Sequence, residues 1–238
     1  MMKADASVRV ALIGDLVGSR RSASRSEVQQ SLVDALAVTN EMTPSVQELA
    51  PTIADEFQGV YDDVGSALRA SLVVRLALPA DVDCRCGIGV GTLEFVGTAE
   101  YGHTQDGPAW WAARDAIVEA KRRESGQNKR LRSWIVVPET EGGSVDEAGV
   151  DARWDARLVN AFLLCRDELV SRLDARQRRL VLGVLRGTSQ KDLAATEGIS
   201  PSAVSQSLHR AGAFAIIGAT ELPGGGAGPR AARRSAAS

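Results

Sequence analysis

Residues 8–19 read VRVALIGDLVGS, and this stretch decides the fold. Positions 8–17 form a near-continuous apolar run, as expected for a strand buried at the centre of a sheet. A single carboxylate, Asp15, stands at the carboxyl end of that run. A lone charge in such a setting is expensive to bury, so it needs a partner or a ligand. Gly18 follows and lets backbone amides approach an anion. Gly18 and Ser19 are therefore the residues of this turn expected to face a bound anion.

Working outward, residues 18–26 are a Ser/Arg loop, and 27–41 have helical spacing of Val28, Leu32, Leu36 and Val38. Residues 46–62 look like two short strands folded around ADEF. A helix is predicted over 63–78 from Val64, Leu68, Leu72 and Leu76, and a strand over 82–90 that ends on glycines. A helix over 108–123 and a strand over 133–137 complete the set. The order β-α-β-β-α-β-α-β predicts an α+β fold: a ferredoxin-like or palm antiparallel sheet with helices on one face. The Gly/Glu/Ser stretch that follows marks a boundary. The expected division is a sheet domain at 1–138, a linker at 139–150, an all-α domain at 151–217 and a disordered tail at 218–238. Tail residues Arg230, Arg233 and Arg234 are expected to aid solubility.

The composition is that of a soluble globular chain: 44% hydrophobic and 24% charged over 238 residues. With only 4% aromatic residues, the core must be built from Val, Leu, Ala and Ile. No apolar run is long enough to span a bilayer, and the N-terminal strand lacks a cleavage-site pattern. A cytoplasmic location with no membrane partner is the expectation. Cys84, Cys86 and Cys165 are too few for a disulfide framework and read as thiols in a packed interior. The net charge of −2 hides an asymmetry: residues 1–150 carry 15 Lys and Arg against 22 Asp and Glu, residues 151–238 carry 13 against 8. A basic C-terminal part behind an acidic N-terminal one fits a nucleic-acid-binding module. The excess is modest, so a monomer should bind weakly and in a salt-sensitive way, and a homodimer is the expected remedy.

The stretch TSQKDLAATEGISPSAVSQSLHRA at 188–211 reads as a helix-turn-helix. Gly198 breaks a first helix, Ser200 can cap a second, and Pro201 suits its first turn. Ala194 is small enough for two helices to cross, and Leu193, Ile199, Val204 and Leu208 close a shared core. The outer face of the second helix then carries Ser202, Ser205, Gln206 and His209, which would read base edges in the major groove of double-stranded DNA. Arg186, Lys191 and Arg210 would hold phosphates. A helical hairpin in an ordinary core is the plainer alternative.

A second acidic motif, ADEFQG at 54–59, lies at the predicted hairpin tip. With the first strand beside the hairpin, Asp15 and Asp55 should face one another. Two close carboxylates repel unless a cation lies between them. Mg²⁺ suits such a pair because it takes its remaining ligands from phosphate and water. As isolated residues, Asp15 could cap a loop and Asp55 and Glu56 could be ordinary turn residues.

These motifs carry a resemblance. GDLVGS at 14–19 resembles the first metal-aspartate motif of class III nucleotide cyclases. ADEFQG resembles their second motif and the signature of diguanylate cyclases. PAWWAAR at 108–114 is similar to the cyclase segment that ends in Ala-Ala-Arg. The resemblance implies Asp15 and Asp55 as metal ligands and Arg114 as the group that steadies the transferring phosphate, with Glu56 beside it in an enzyme. It also implies a ribose-orienting Asn where this chain has Trp110, and two glycines where it has Ile53 and Ala54. These departures favour nucleotide binding without turnover. The C-terminal stretch resembles region 4 of sigma-70-type factors and the LuxR-type output domain. The chain as a whole is similar to the SatD family of bacterial proteins.

The leading expectation is thus a DNA-binding transcriptional regulator with a degenerate cyclase-like sensor or dimerisation domain. The alternatives are an active Mg²⁺-dependent nucleotidyltransferase or cyclase and a non-catalytic interaction scaffold. The identity of any bound nucleotide stays open.

Overall fold

A computed structural model describes residues 8–18, 25–52, 55–99, 102–138 and 155–221. Ser19, Ile53, Ala54, the linker at 139–150 and the tail from 222 lie outside the described residues, as does the side chain of His103.

Five strands form the main sheet: β1 (Val8–Val17), β2 (Gln47–Pro51), β3 (Glu56–Tyr61), β4 (Asp83–Thr92) and β7 (Ser133–Val136). Their order is β2-β3-β1-β4-β7. β1 lies between β3 and β4 and is antiparallel to both. Val10, Ala11, Leu12 and Ile13 are all nearly inaccessible, as an apolar run covered on two faces requires. The sheet is not wholly antiparallel, because β7 joins β4 in parallel. A separate hairpin, β5 (Glu94–Ala99) with β6 (Gly102–Asp106), occupies a stretch in which the sequence predicts no strand.

Helices α1 (Arg25–Met42) and α2 (Val64–Ala77) cover one face, where Leu32, Leu36, Leu68 and Val74 join Leu12, Phe57, Cys84, Cys86 and Ile88 in the main core. Asp63 caps α2 through the Ser66 amide at 2.9 Å. Helix α3 (Pro108–Ser125) corrects the expectation of helices on one face. It packs on the opposite face, with Ala109, Trp110, Ala113 and Ile117 on Ala11, Ile13 and Val60. The reason lies in β4, whose Gly87, Gly89 and Gly91 leave bare backbone on that face. A Cβ on Gly89 would collide with the Ala113 amide and the Ala109 carbonyl.

Helix α4 (Ala156–Val170) adds Val159 and Leu163 to the sheet's own core. It also covers the free edge of β7: the Asn160 amide pairs with the Ile135 N–H and carbonyl, both at 2.9 Å. Four further helices follow: α5 (Ala175–Leu185), α6 (Gln190–Glu197), α7 (Pro201–Arg210) and α8 (Ala213–Glu221). Their core encloses Leu180, Val181, Leu193, Val204, Leu208 and Ile216, and it also takes in Leu72 and Leu76 of α2. The helical part is therefore built against the back of α2. α8 continues to Glu221, past the expected domain end at 217.

Candidate functional site

Strand register builds the first candidate site. Asp15 is opposite Glu56 on β3 and opposite Arg85 on β4. Directly paired residues of antiparallel strands project on one face, so the three form a row across the sheet. It is the α3 face, and α3 supplies Arg114 and Glu124. Arg85 Nη1 donates to Asp15 at 3.2 Å, and its Nε donates to Glu124. Arg114 Nη1 donates to Glu56 at 3.2 Å. Asp55 precedes β3, and its carbonyl accepts the Leu16 amide at 3.2 Å.

Asp15 and Asp55 are close enough to influence each other. Burial pushes the Asp15 carboxyl above the usual carboxylate range and the Asp55 charge adds to this, while Arg85 and Lys121 oppose it. A cation near both carboxylates would relieve this strain, so their donor chemistry suits Mg²⁺ completed by phosphate oxygens. Among the described residues no group of three or more His, Cys, Asp or Glu could enclose a metal ion. Gly18 follows β1 with φ +76°, and among the described residues nothing lies within 4 Å of where its Cβ would stand.

Trp110 and Trp111 separate in role. Trp110 is buried between α3 and the sheet, with no hydrogen-bond partner for its Nε1–H among the described residues. Trp111 is exposed, with its Nε1–H held by Asp106 at 2.8 Å.

Sequence reasoning missed Arg85 and Glu124. The signal was available: Arg85 is the one long charged side chain inside the alternating strand DCRCGIGV at 83–90. Pairing it with Asp15 required the β1–β4 register.

The second candidate site is on α7. Ser189 caps α6 through the Asp192 amide at 3.2 Å. Gly198 ends α6 in the left-handed region at φ +65°, and the Ile199 amide returns to the Ala194 carbonyl at 3.0 Å. Ser200 caps α7 through the Ala203 amide at 3.2 Å, with Pro201 first in the helix. Val204 and Leu208 face inward. Ser202, Gln206, His209 and Arg210 are exposed and Ser205 is half-buried. Ser205, Gln206, His209 and Arg210 line an open hollow of about 480 Å³. Lys191 on α6 is exposed, whereas Arg186 is ion-paired with Glu41 of α1 at 3.2 Å.

The family model of the SatD family matches residues 9–137. Among solved structures, the chain is similar to a bacterial light-regulated adenylyl cyclase, at 15% identity and a TM-score of 0.39. That match covers 49% of this chain and 40% of the cyclase chain, so this chain spans less than half of that protein. It is also similar to the guanylyl cyclase domain of the RhoGC fusion protein from the aquatic fungus Blastocladiella emersonii, at 13% identity and a TM-score of 0.37. There the match covers 48% of this chain and 74% of that one. No curated protein matches the chain.

Proposed function

The chain belongs to the SatD family, and from that premise we propose that it is a DNA-binding regulator whose sheet part holds nucleotide phosphates without turning them over. The observation that carries this reading is the outward polar face of α7. The helix buries Val204 and Leu208 and turns Ser202, Gln206, His209 and Arg210 to solvent. A surface helix entered through a tight glycine turn fits a major groove, with base-reading residues on its outer side. Gln206 offers adenine both a donor and an acceptor. Lys191 would take a phosphate, and so would Arg186 once it leaves Glu41, because an exposed ion pair is worth little.

In the sheet part, Arg85 and Arg114 would meet phosphate oxygens, and Asp15 and Asp55 would hold Mg²⁺ between them and the phosphates. Mg²⁺ would supply charge neutralisation there. Gly18, with Ser19 beyond it, would approach the anion through its backbone. Trp110 speaks against turnover. The position at which cyclases orient the ribose is here an indole buried in the core. In the enzymatic alternative, Arg114 would steady a transferring phosphate with Glu56 beside it.

Gel shifts on the chain's own promoter, at several salt concentrations, test the reading. Gln206→Ala should relax sequence preference, while Lys191→Ala should weaken all DNA alike. A thermal-shift screen with common nucleotides and Mg²⁺ tests the sheet site. Stabilisation of wild type but not of Asp55→Asn is the expected result. Steady NTP consumption abolished by Asp15→Asn would favour the enzyme instead.

A further inference from the structure

We infer that Arg85 is a phosphate-binding residue held in reserve by Asp15, and that it is released when a divalent cation takes that carboxylate. Cation and phosphate then bind the sheet site together, and each binds poorly alone. The inference rests on the reading of that site as a holder of phosphate and Mg²⁺, and adds its regulation.

Three observations lead to it. First, Arg85 is engaged on two sides. Its Nη1 donates to both oxygens of Asp15, at 3.2 and 3.4 Å, and its Nε donates to Glu124. Second, this engagement is sheltered. The side chains of Arg85, Asp15 and Glu124 are 13%, 26% and 17% exposed, whereas those of Arg114 and Glu56 are 51% and 39% exposed. An exposed pair parts at little cost, so Arg114 is available to an anion at any time. Arg85 is not, because turning Nη1 to a phosphate leaves the half-buried Asp15 charge without its partner. Third, Glu124 is itself anchored. It also pairs with Arg132 at 3.1 Å, and Arg132 pairs with Asp83 at 2.8 Å. Glu124 therefore keeps hold of the guanidinium through Nε when Nη1 leaves Asp15.

The consequence is a coupled site. Once Asp15 is neutralised by a cation it no longer needs Arg85, and the guanidinium and the cation repel each other across one carboxylate. Arg85 then offers Nη1 to a phosphate oxygen. That bond is charge-assisted, and it orders no free side chain because Glu124 already holds the arginine. Without the cation, phosphate must compete with Asp15 for Arg85. Without phosphate, a cation must compete with Arg85 for Asp15. By linkage the two effects are one coupling free energy, read from either side.

The test is titration calorimetry of the full chain with inorganic tripolyphosphate in EDTA, with Mn²⁺ alone, and with both together. Wild type, Asp15→Asn, Arg85→Gln and the double variant are compared. Asp15→Asn releases Arg85, so it should bind metal-free tripolyphosphate roughly tenfold more tightly than wild type, the size of one charge-assisted hydrogen bond. That gain should vanish between Arg85→Gln and the double variant, which separates a released Arg85 from the mere loss of a negative charge. Arg85→Gln should also bind Mn²⁺ alone more tightly than wild type. If Arg85→Gln does not fold, the double variant, which leaves no unpaired Asp15 charge, still decides: it should lack the gain seen in Asp15→Asn. No gain in Asp15→Asn, the same gain without Arg85, or Mn²⁺ affinity unchanged by Arg85→Gln overturns the inference, while binding of Mn²⁺ with tripolyphosphate by wild type leaves the site reading standing. If wild type does not bind the two together, the site reading falls and the inference with it.

Discussion

Asp15 is a residue whose charge weighs against the fold. It is the only charge in the described part of a central strand beyond Arg9, and burial raises its carboxyl above the ordinary range. Because the folded value lies above the unfolded one, the penalty is absent below about pH 4 and grows as the pH rises through the folded value. Asp15→Asn is therefore expected to leave stability at neutral pH unchanged or raised by up to about 1 kcal/mol. A loss above about 2 kcal/mol in urea unfolding would mean that Asp15 serves the fold through Arg85. Gly89 is the opposite case. Its missing side chain is what lets α3 rest on β4 backbone to backbone, and neither the Ala113 amide nor the Ala109 carbonyl can move without shifting the helix. Gly89→Ala should cost about 3 kcal/mol or more, read from the same unfolding curves. Wild-type stability in that variant would contradict the packing described for α3.

At the scale of elements, the strands and helices were legible where period and caps agreed. The apolar run of β1 and the spacing in α1 and α2 led to elements within a few residues of those observed. The turn before α7 was legible for a local reason, since Gly198, Ser200 and Pro201 each have one preferred place near a helix end. The face chosen by α3 was not read. Yet the alternate glycines of GIGVG at 87–91 announce a sheet face made of backbone, to which a helix must come close. The β5–β6 hairpin was missed because its strands lack a steady apolar alternation. Nor did the sequence disclose how α4 docks, since that depends on partners far apart in the chain. Asp167 of α4 is fully buried and accepts from Arg75 of α2 at 2.9 Å and from the Arg132 amide at 2.8 Å. Arg75 in turn pairs with Asp83 at 3.0 Å. Asp167 also accepts from Arg166 at 3.1 Å, so Asp167→Asn leaves Arg75 and Arg166 short of a counter-charge, with an expected loss of about 3–5 kcal/mol. Burial opposes the charge on Asp83, but Arg75 and Arg132 together hold its carboxyl below the usual range. Its contribution is thus present above about pH 4 and lost as the pH falls through the lowered value. Acid unfolding of Asp83→Asn should accordingly be less steep than that of wild type.

For the whole molecule, the main consequence is that the sheet and the helical part share α2. Leu72 and Leu76 belong to the core that holds α5 to α8, and Arg69 of α2 donates to the Leu185 carbonyl at 3.0 Å. A ligand that bound the sheet part would therefore act on a body to which α7 is already attached. The charge is divided in the same sense, with the acidic excess before residue 150 and the basic excess after it. Binding should weaken as salt rises, and Lys191→Ala should reduce the salt slope by about 1. The most direct test of the account is fluorescence anisotropy of the full chain on its own promoter DNA and on shuffled DNA, with wild type and Gln206→Ala compared at fixed salt. The account predicts tight binding of the promoter by wild type. It also predicts about a tenfold loss or more on that DNA for Gln206→Ala, with little change on shuffled DNA. Equal affinity of wild type for both DNAs, or none for either, would contradict it.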